Sequence, residues 1–265
     1  MIKIIHSKDA GFFSCCSVKL TRIIEFINSK KILPENVDSS ELFILYKKEI
    51  NKDITFDFFK NNKDVQDVQD IDIIFPINYH WDHQFRNYSE LDYKHITPVI
   101  KKYFSPSIKI NEIIFELENK YNIIHDNTIA VYYRGTDKYT ETQLAPFDEF
   151  YRKILHLVNI NENINILLQT DSSKFIEYIK GKKLKNVVTI DENKTSYSDK
   201  GIHHEQLSSN NYQDIFYFLS TILILSKCKY IICSSGNCSI WTMLYRGNNK
   251  NVIQYLNGSW YSSVF

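Results

Sequence analysis

The second half of the sequence alternates between short apolar runs and segments with helical spacing, and this alternation limits the fold more than any other feature. The apolar runs are TIAVYY, INILLQ, NVVTI, KYIIC and NVIQYL. Each has the length of a strand, and between them apolar residues recur every three or four positions, as in helices. Strands that are apolar throughout and are separated by helices form a parallel sheet with both faces covered. The sequence therefore predicts an α/β fold whose C-terminal part is a doubly wound, Rossmann-like parallel sheet.

The first half has a looser pattern. MIKIIHS predicts a short strand, followed by a glycine-containing loop and an amphipathic helix, VKLTRIIEFINSK. ELFILYKK predicts a second strand, and PSIKINEIIFELENKY predicts a helix that starts near Pro106. Because the regular alternation begins only after this helix, we place a domain boundary near residue 125. The expected division is an N-terminal α/β domain over 1–125 and a Rossmann-like domain over 126–265.

Composition excludes several classes of protein. Hydrophobic residues make up 43% and charged residues 24% of the chain, which is ordinary for a globular protein, and the net charge is +1. So small a charge creates no field that would favour nucleic acid as a partner. The five cysteines are odd in number and form no CxxC pair, so we expect reduced thiols rather than a disulfide framework or a zinc site.

The sequence also predicts a cytoplasmic location. The N-terminal segment MIKIIHSKDAG lacks the apolar run and the small-residue cleavage site of a signal peptide. No stretch offers the ~18 uncharged apolar residues that a membrane-spanning helix needs. The most apolar stretch, IFYFLSTILILSKCKYIIC, contains Lys227 and Lys229, and we interpret it as a buried helix followed by a strand.

Polar side chains follow three of the predicted strands directly. The three sets are Arg134, Gly135, Asp137 and Lys138 after TIAVYY; Thr170 and Asp171 after INILLQ; and Ser234, Ser235, Gly236, Asn237 and Ser239 after KYIIC. In an open parallel sheet, ligands bind beyond the carboxyl ends of the strands, so these side chains are expected to meet at one edge. Arginine offers a fork of donors to phosphate oxygens, and a helix N-terminus adds free N–H groups. The set therefore predicts a site for a nucleotide diphosphate.

Each motif alone also has a purely structural interpretation. RGTDK is compatible with a solvated turn, QTDSS with a helix N-cap and SSGN with a tight turn. HWDH, with His80, Asp82 and His83, is a weak zinc motif, and His203 and His204 have the wrong spacing for a metal pair on one helix face. Neither GxGxxG after the first strand nor GxxxxGK before Ser or Thr is present, so a generic nucleotide-binding enzyme has little support. The coincidence of the motifs at strand ends favours a ligand site.

Three segments resemble signature blocks of the fucosyltransferase-like superfamily. That group includes the α-1,6-fucosyltransferases, the nodulation fucosyltransferases and many bacterial polysaccharide glycosyltransferases. VYYRGTDKYTE resembles its HxRGTDKxxE strand–loop signature, and two further blocks match in the same order, ILLQTDSSKFIEYIK and ILILSKCKYIICSSGNCSIWTMLY. The N-terminal GFFS resembles a sugar-nucleotide loop at the opening of the first domain. The resemblance is specific across residues 128 to 247 and faint before residue 110.

The resemblance implies a B-type glycosyltransferase architecture, in which two Rossmann-like domains face each other across a cleft. It implies an inverting transfer without a metal or other cofactor, and the donor substrate is typically GDP-fucose. The donor would bind mainly to the C-terminal domain, while the N-terminal domain would lie on the acceptor side. The expected partners are this nucleotide sugar and a glycan or glycolipid acceptor, with peripheral contact to a membrane as an open alternative.

The resemblance also implies roles for residues of the first motif. Arg134 would hold the donor β-phosphate and stabilise the leaving diphosphate, which is the electrostatic role that a metal-free enzyme needs most. Lys138 would assist it or orient the loop, and Asp137 would fix the loop through backbone N–H groups. Glu141 would be the general base that takes the proton of the acceptor hydroxyl.

Further donor contacts are implied by the other motifs. Ser235, Asn237 and Ser239 would bind the diphosphate near a helix start, and Asp171 would help to bind the nucleoside. The same donor-binding set includes Tyr132 and Gly135 beside Arg134 and, from the other domain, Gly11, Phe12 and Phe13, whose backbone would approach the donor or the acceptor.

Two positions depart from the family pattern. Tyr132 stands where the family usually has histidine, and Thr221 stands where it has an aspartate associated with guanine recognition. Asp214 lies seven residues, or two helical turns, before Thr221 and is a poor substitute at that distance. Two alternatives therefore stay open. One is a transferase that uses a different nucleotide sugar, and the other is a catalytically silent protein of the same fold that binds a sugar nucleotide or a glycan.

Overall fold

The computed structural model describes residues 2–5, 10–49, 51–60, 74–202 and 210–264. Before position 125 the described residues form two short strands and several helices. The strands are β1 (Ile2–Lys3) and β2 (Val37–Asp38), and the helices are α1 (Phe12–Lys30), α2 (Thr55–Phe58), α3 (Tyr93–Tyr103) and α4 (Ile108–Lys120). β1 and β2 pair in parallel as a two-stranded sheet.

The second half confirms the predicted alternation of strands and helices. The strands are β3 (Thr128–Tyr133), β4 (Asn165–Thr170), β5 (Val187–Thr189), β6 (Tyr230–Ser234), β7 (Val252–Leu256) and β8 (Ser259–Ser262). The helices are α5 (Phe147–Ile160), α6 (Ser173–Gly181), α7 (Asn211–Lys227) and α8 (Asn237–Arg246). The result is a mixed α/β arrangement around one six-stranded, mostly parallel sheet.

The order of the strands in this sheet is β5-β4-β3-β6-β7-β8. Neighbouring strands run parallel except for β7 and β8, which pair antiparallel. The chain builds outward from β3 to β5, returns to the other side of β3 with β6, and then builds outward again. The order therefore reverses between β3 and β6, and such a switch point is where open α/β sheets leave a crevice for a ligand.

The central strands send alternate side chains into two buried layers. Ala130 and Tyr132 on β3 join a large hydrophobic cluster with α1, α4, α7 and α8, which covers one face of the sheet. Ile129 and Val131 join the cluster on the other face, together with side chains of α5 and α6. Because both faces are covered, every position of a central strand is buried, which explains the continuous apolar runs in the sequence.

The predicted strand at ELFILYKK is wrong, because this segment forms a 3-10 turn over Ile44–Tyr46. Phe43, just before the turn, has a φ of 62° in the left-handed region, so the backbone does not continue as an extended strand. Leu42, Phe43 and Tyr46 are nevertheless buried. The core therefore receives these apolar side chains from a turn rather than from alternate positions of a strand.

Other elements differ from the sequence prediction in their bounds or were not predicted. α1 begins at Phe12 rather than at Val18, because Phe12, Phe13, Cys15 and Cys16 continue its buried face towards the N-terminus. α3, which contains Pro98, and the antiparallel edge strand β8 are absent from the prediction. The acidic repeat-like segment DVQDVQD and the pair His203 and His204 lie outside the described residues.

One hydrophobic cluster contains side chains from both sides of position 125. It includes Ile23, Phe58 and Ile110 as well as Ala130 and Tyr132. Among the described residues before position 125, the only sheet has two strands. The division into domains over 1–125 and 126–265 stays a prediction. In the described ranges, no helix is both long enough and apolar enough to cross a lipid bilayer.

Candidate functional site

A cavity of about 400 Å³ lies at the carboxyl ends of β3 and β6, beside the switch point of the sheet. It brings together most of the side chains that the sequence predicts for the site. These are Gly11, Phe12, Phe13, Tyr132, Arg134, Asp137, Lys138, Glu141, Asp171, Ser235 and Asn237. Gly135 and Ser239, which belong to the same motifs, do not line the cavity. The motifs thus converge in space, and the roles of the individual residues stay predictions.

Arg134 follows the last residue of β3, and two carboxylates hold its guanidinium group. Nη2 donates to Oδ1 of Asp137 at 2.5 Å, and Nη1 lies 2.8 Å from Oδ2 of Asp171. The Arg134 side chain is 18% exposed. Burial is the largest single influence and by itself would lower the pKa of Arg134, but the charge of Asp171, together with Tyr132, Asp137 and Cys238, raises that pKa above its ordinary value. The cavity therefore contains a permanent, oriented positive charge.

Asp171 anchors the loop that carries Arg134. It is buried directly after β4, and its Oδ1 accepts a hydrogen bond from the backbone N–H of Gly135 at 2.8 Å. Its Oδ2 accepts another from Oγ1 of Thr136 at 2.8 Å. Any side chain at position 135 would be blocked, because a Cβ there would lie 2.5 Å from Cε1 of Tyr133. Asp171 and the glycine thus fix the loop, and the predicted contact of Asp171 with a nucleoside stays a prediction.

Lys138, Glu141 and Gln84 form a closed hydrogen-bonded triangle in the cavity wall. Nζ of Lys138 donates to Oε2 of Glu141 at 2.7 Å and to Oε1 of Gln84 at 2.9 Å. Nε2 of Gln84 donates to the same Oε2 of Glu141 at 2.9 Å. The Lys138 side chain is 9% exposed and that of Glu141 is 38% exposed. The predicted base therefore has one oxygen engaged by two donors within the protein.

The predicted diphosphate motif lies at the N-terminus of α8, where its polar groups make contacts within the protein. Oγ of Ser235 donates to the backbone oxygen of Tyr255 at 2.7 Å, and Oγ of Ser239 donates to that of Ser234 at 2.5 Å. Nδ2 of Asn237 donates to Oγ of Ser14 at 3.1 Å, and its backbone N–H donates to Oε1 of Gln84 at 2.9 Å. These bonds shape the turn and join it to α1.

Tyr132 occupies the end of β3 on the side of the cavity, at the position where the resembling family has histidine. It is buried, and burial raises the pKa of its phenol well above the ordinary value. Its hydroxyl group hydrogen-bonds the thiol of Cys238, whose own pKa is raised by burial. Tyr132 therefore provides a neutral hydrogen-bonding group beside Arg134 and no second charge.

The start of α1 closes another side of the cavity with aromatic rings. The ring of Phe12 packs against Phe43 and Phe58 with centroids 5.0 Å and 5.1 Å away, and the ring of Phe13 packs 6.0 Å from Trp241. The backbone N–H of Phe12 donates to the hydroxyl of Tyr46 at 2.9 Å. Both phenylalanines are buried, so they hold the backbone of this wall in place.

Polar side chains outside the three predicted motifs also line the cavity. Nδ2 of Asn193 donates to Oγ1 of Thr221 at 2.7 Å and to Oε1 of Gln169 at 3.0 Å. Oδ1 of Asn193 is buried and has no hydrogen-bond partner within the described part of the chain. Lys194 and Asp214 form an ion pair of 2.5 Å and also line the cavity. Thr221 itself is fully buried behind Asn193.

Sequence reasoning missed several residues that line the cavity, namely Tyr46, Trp81, Gln84, Glu192, Asn193, Lys194 and Phe218. Gln84 and Trp81 belong to the aromatic segment that also contains HWDH. His80 and Asp82 of that motif pair at 2.7 Å without lining the cavity. Across the described ranges, no three His, Cys, Asp or Glu side chains gather as metal ligands. The segment reaches the cavity through long-range contacts, for which the sequence carries no local signal.

Comparisons with known proteins find distant similarity in structure alone. No known protein family and no curated protein matches the sequence. Similar solved structures include NodZ alpha-1,6-fucosyltransferase co-crystallized with GDP, with 13% identity over 63% of this chain and 51% of that chain, and a TM-score of 0.41. Another is NodZ alpha-1,6-fucosyltransferase soaked with GDP-fucose, with 12% identity over 63% of this chain and 52% of that chain, and a TM-score of 0.41.

This chain therefore spans about half the length of the NodZ structures that it resembles. The similarity is to the same group of fucosyltransferases that the three sequence motifs resemble.

Proposed function

We propose that this chain is a metal-independent, inverting glycosyltransferase that transfers a sugar from a nucleotide-sugar donor to a glycan hydroxyl, with GDP-fucose as the leading donor. One observation carries the proposal: Arg134, Lys138 and Glu141 line one cavity at the switch point of a parallel sheet. A transfer without a metal needs cations at the leaving group and a base at the acceptor hydroxyl. The motif resemblance of the same residues supports the same reaction.

In the proposed reaction, the oxygen of the acceptor hydroxyl attacks the anomeric carbon of the donor sugar. The bond from that carbon to the β-phosphate oxygen breaks, and its electron pair leaves with the nucleoside diphosphate. The hydroxyl proton passes to Glu141, while Arg134 and Lys138 stabilise the charge that develops on the leaving phosphate. Attack from the face opposite the leaving group inverts the anomeric centre.

The contacts of Arg134 support this role. Asp137 and Asp171 orient the guanidinium before a ligand binds, so little reorganisation is needed when charge develops on the phosphate. Two of its nitrogens are used in these ion pairs, and the group has further N–H donors for phosphate oxygens. A fixed cation with spare donors is suited to a diphosphate leaving group.

A binding panel tests the donor class. GDP, GDP-fucose, GDP-mannose, UDP and UDP sugars are titrated calorimetrically in EDTA and then in Mg²⁺. We expect GDP and its sugars to bind in EDTA and more tightly than UDP, because the motifs around Arg134 and Asp171 resemble those of a family whose typical donor is GDP-fucose. Preference for UDP, or binding only with Mg²⁺, would move the proposal to another donor or another mechanism.

A catalytically silent binder is the second candidate, and one contact favours it. Oε2 of Glu141 accepts hydrogen bonds from both Lys138 and Gln84, which engages one of the two oxygens of the carboxylate that would take the acceptor proton. The two candidates separate when GDP-fucose is incubated with the protein and a panel of glycan acceptors. Release of GDP together with a fucosylated product supports the transferase. Tight binding of GDP-fucose without release of GDP to any acceptor or to water supports the silent binder.

A further inference from the structure

Gln84 joins three parts of the cavity wall through one side-chain amide. Its Oε1 accepts hydrogen bonds from Nζ of Lys138 and from the backbone N–H of Asn237, both at 2.9 Å. Its Nε2 donates to Oε2 of Glu141 at 2.9 Å. The residue is 3% exposed although it comes from the loop segment before α3. Gln84 thereby hydrogen-bonds both the predicted base and the first backbone N–H of α8.

The donors that meet at Oε1 of Gln84 are those that usually bind an anion. Asn237 is the first residue of α8, where backbone N–H groups and the helix dipole favour negative charge. Lys138 adds a formal positive charge at the same oxygen. This position holds a neutral amide oxygen, which is a weaker partner for a cation than a phosphate oxygen would be.

Gly236, which has no side chain, leaves room for the amide of Gln84 at the start of α8. A Cβ atom at Gly236 would lie 3.3 Å from Cε of Lys138 and 3.6 Å from Oε1 of Gln84. Absence of a side chain at Gly236 therefore lets the lysine and the amide approach the start of α8. A Cβ at this position would press on the end of the Lys138 side chain and would be in ordinary van der Waals contact with the Gln84 amide.

We propose that Gln84 occupies the place of a diphosphate oxygen, and that a bound diphosphate displaces its side chain from Lys138 and Asn237. The proposal rests on the proposed function, because it concerns the same anionic ligand. Displacement also removes Nε2 of Gln84 from Glu141, and Lys138 turns towards the phosphate. Binding of the donor thereby frees Oε2 of Glu141, so that both oxygens of the base are open to the acceptor hydroxyl. Without donor, the base is held by two hydrogen bonds.

The proposal predicts that removing the amide strengthens anion binding. When a ligand must first displace an occupant, its apparent affinity equals its intrinsic affinity multiplied by the fraction of molecules in which the site is free. Gln84→Ala and Gln84→Met both lack the competing oxygen. We expect both to bind inorganic pyrophosphate and GDP more tightly by about tenfold, which corresponds to the net value of one or two hydrogen bonds.

The test is calorimetric titration of pyrophosphate and of GDP into the full chain. The variants are the wild type, Gln84→Ala, Gln84→Met, Arg134→Ala and, as a matched control, Gln213→Ala, whose side chain is exposed on α7 outside the cavity lining. Tighter binding in both Gln84 variants and unchanged binding in the control support the proposal. Thermal unfolding of each variant verifies that it is folded.

Two outcomes overturn the proposal and leave the proposed function in place. If the Gln84 variants bind as the wild type does while Arg134→Ala loses affinity, Gln84 does not compete with the ligand. If both Gln84 variants bind more weakly, the amide is a ligand contact and not a competitor. If the folded wild type and both Gln84 variants bind neither pyrophosphate nor GDP, the proposed function fails together with this inference.

Discussion

Arg134 is held from two sides before any ligand arrives. Asp137 and Asp171 bind different nitrogens of the guanidinium, and Asp171 also fixes the backbone of the same loop through Gly135. Lysine carries the same charge, but its single ammonium group lacks the planar fork that bonds two carboxylates and a phosphate together. The identity of this residue, and not its charge alone, therefore matters for the proposed leaving-group role.

Arg134→Lys should lower kcat/KM for donor turnover by about 10²-fold to 10³-fold, as loss of one preorganised charge-stabilising group usually does. The measurement is steady-state release of GDP from GDP-fucose with the best acceptor found. Arg152→Lys, on an exposed side chain of α5, is the matched control and should turn over as the wild type does. Retention of more than about a third of the activity by Arg134→Lys would contradict the assigned role.

At the level of elements, α1 carries a buried charge. Lys19 is 2% exposed on its inner face, with Nζ 5.5 Å from the centroid of the Phe104 ring. Burial lowers the pKa of Lys19 from 10.5 to about 8, although the charge of Asp53 opposes that shift. The unfolded chain therefore binds more protons than the folded chain between those two values. The free energy of unfolding therefore rises with pH between about 8 and 10.5. Below pH 8 the buried ammonium group lowers the stability of the folded protein by its full amount.

Lys19→Met should raise the free energy of unfolding at pH 7 by about 3 kcal/mol, since each pKa unit corresponds to roughly 1.4 kcal/mol. The gain should shrink as the pH approaches 10.5, where the lysine of both states becomes neutral. Urea unfolding of the wild type and the variant at several pH values measures this difference. Lys30→Met, on an exposed side chain of the same helix, should change stability little. An equal gain at pH 7 and pH 10 would show that the effect is packing alone.

The elements differ in how far the sequence determines them. β3, β4 and β6 are predictable because strands that are buried on both faces have apolar residues at nearly every position. ELFILYKK has a similar composition, yet its left-handed Phe43 turns it into the 3-10 segment. Short apolar runs are compatible with strands and with turns, and tertiary burial decides between them. β8 lies at the sheet edge with most of its side chains exposed, so its sequence has no clear apolar pattern that would predict a strand.

The residues of the candidate site also differ in how far the sequence predicts them. Arg134, Asp171 and Asn237 are predictable because each follows a strand, and parallel strands end at one edge. Gln84 contacts Lys138 and Asn237 across 54 and 153 positions of sequence. Asn193 likewise reaches Thr221 across 28 positions. No local pattern encodes such contacts, so only the folded chain reveals them.

For the whole molecule, the main feature is a core that crosses position 125. Trp241 on α8 is fully buried, and its Nε1 donates to Oγ of Ser17 on α1 at 2.9 Å. Trp260 on β8 lies on the opposite face of the sheet, packed with Phe150 and Tyr255. The continuous cluster between α1, α8 and β3 predicts that the two halves lose structure together.

We expect one cooperative unfolding transition for the full chain. Two variants test this, each with a single tryptophan, either Trp81 in the first half or Trp260 in the second half, after replacement of the others by phenylalanine. Urea unfolding followed by fluorescence should give the same midpoint and the same slope for both. Separate midpoints would instead support the predicted division into domains over 1–125 and 126–265.

The cavity is assembled from chain segments that are far apart in sequence: Gln84, the loop after β3 and the start of α8. A partly folded chain presents none of these surfaces together, so a diphosphate ligand would recognise only the complete native state. Ligand at a hundred times its dissociation constant adds about 2.7 kcal/mol to the stability of such a protein. Under the proposed function, supply of the nucleotide sugar would then influence how fast the protein is degraded, because the ligand-bound native state is less open to proteolysis.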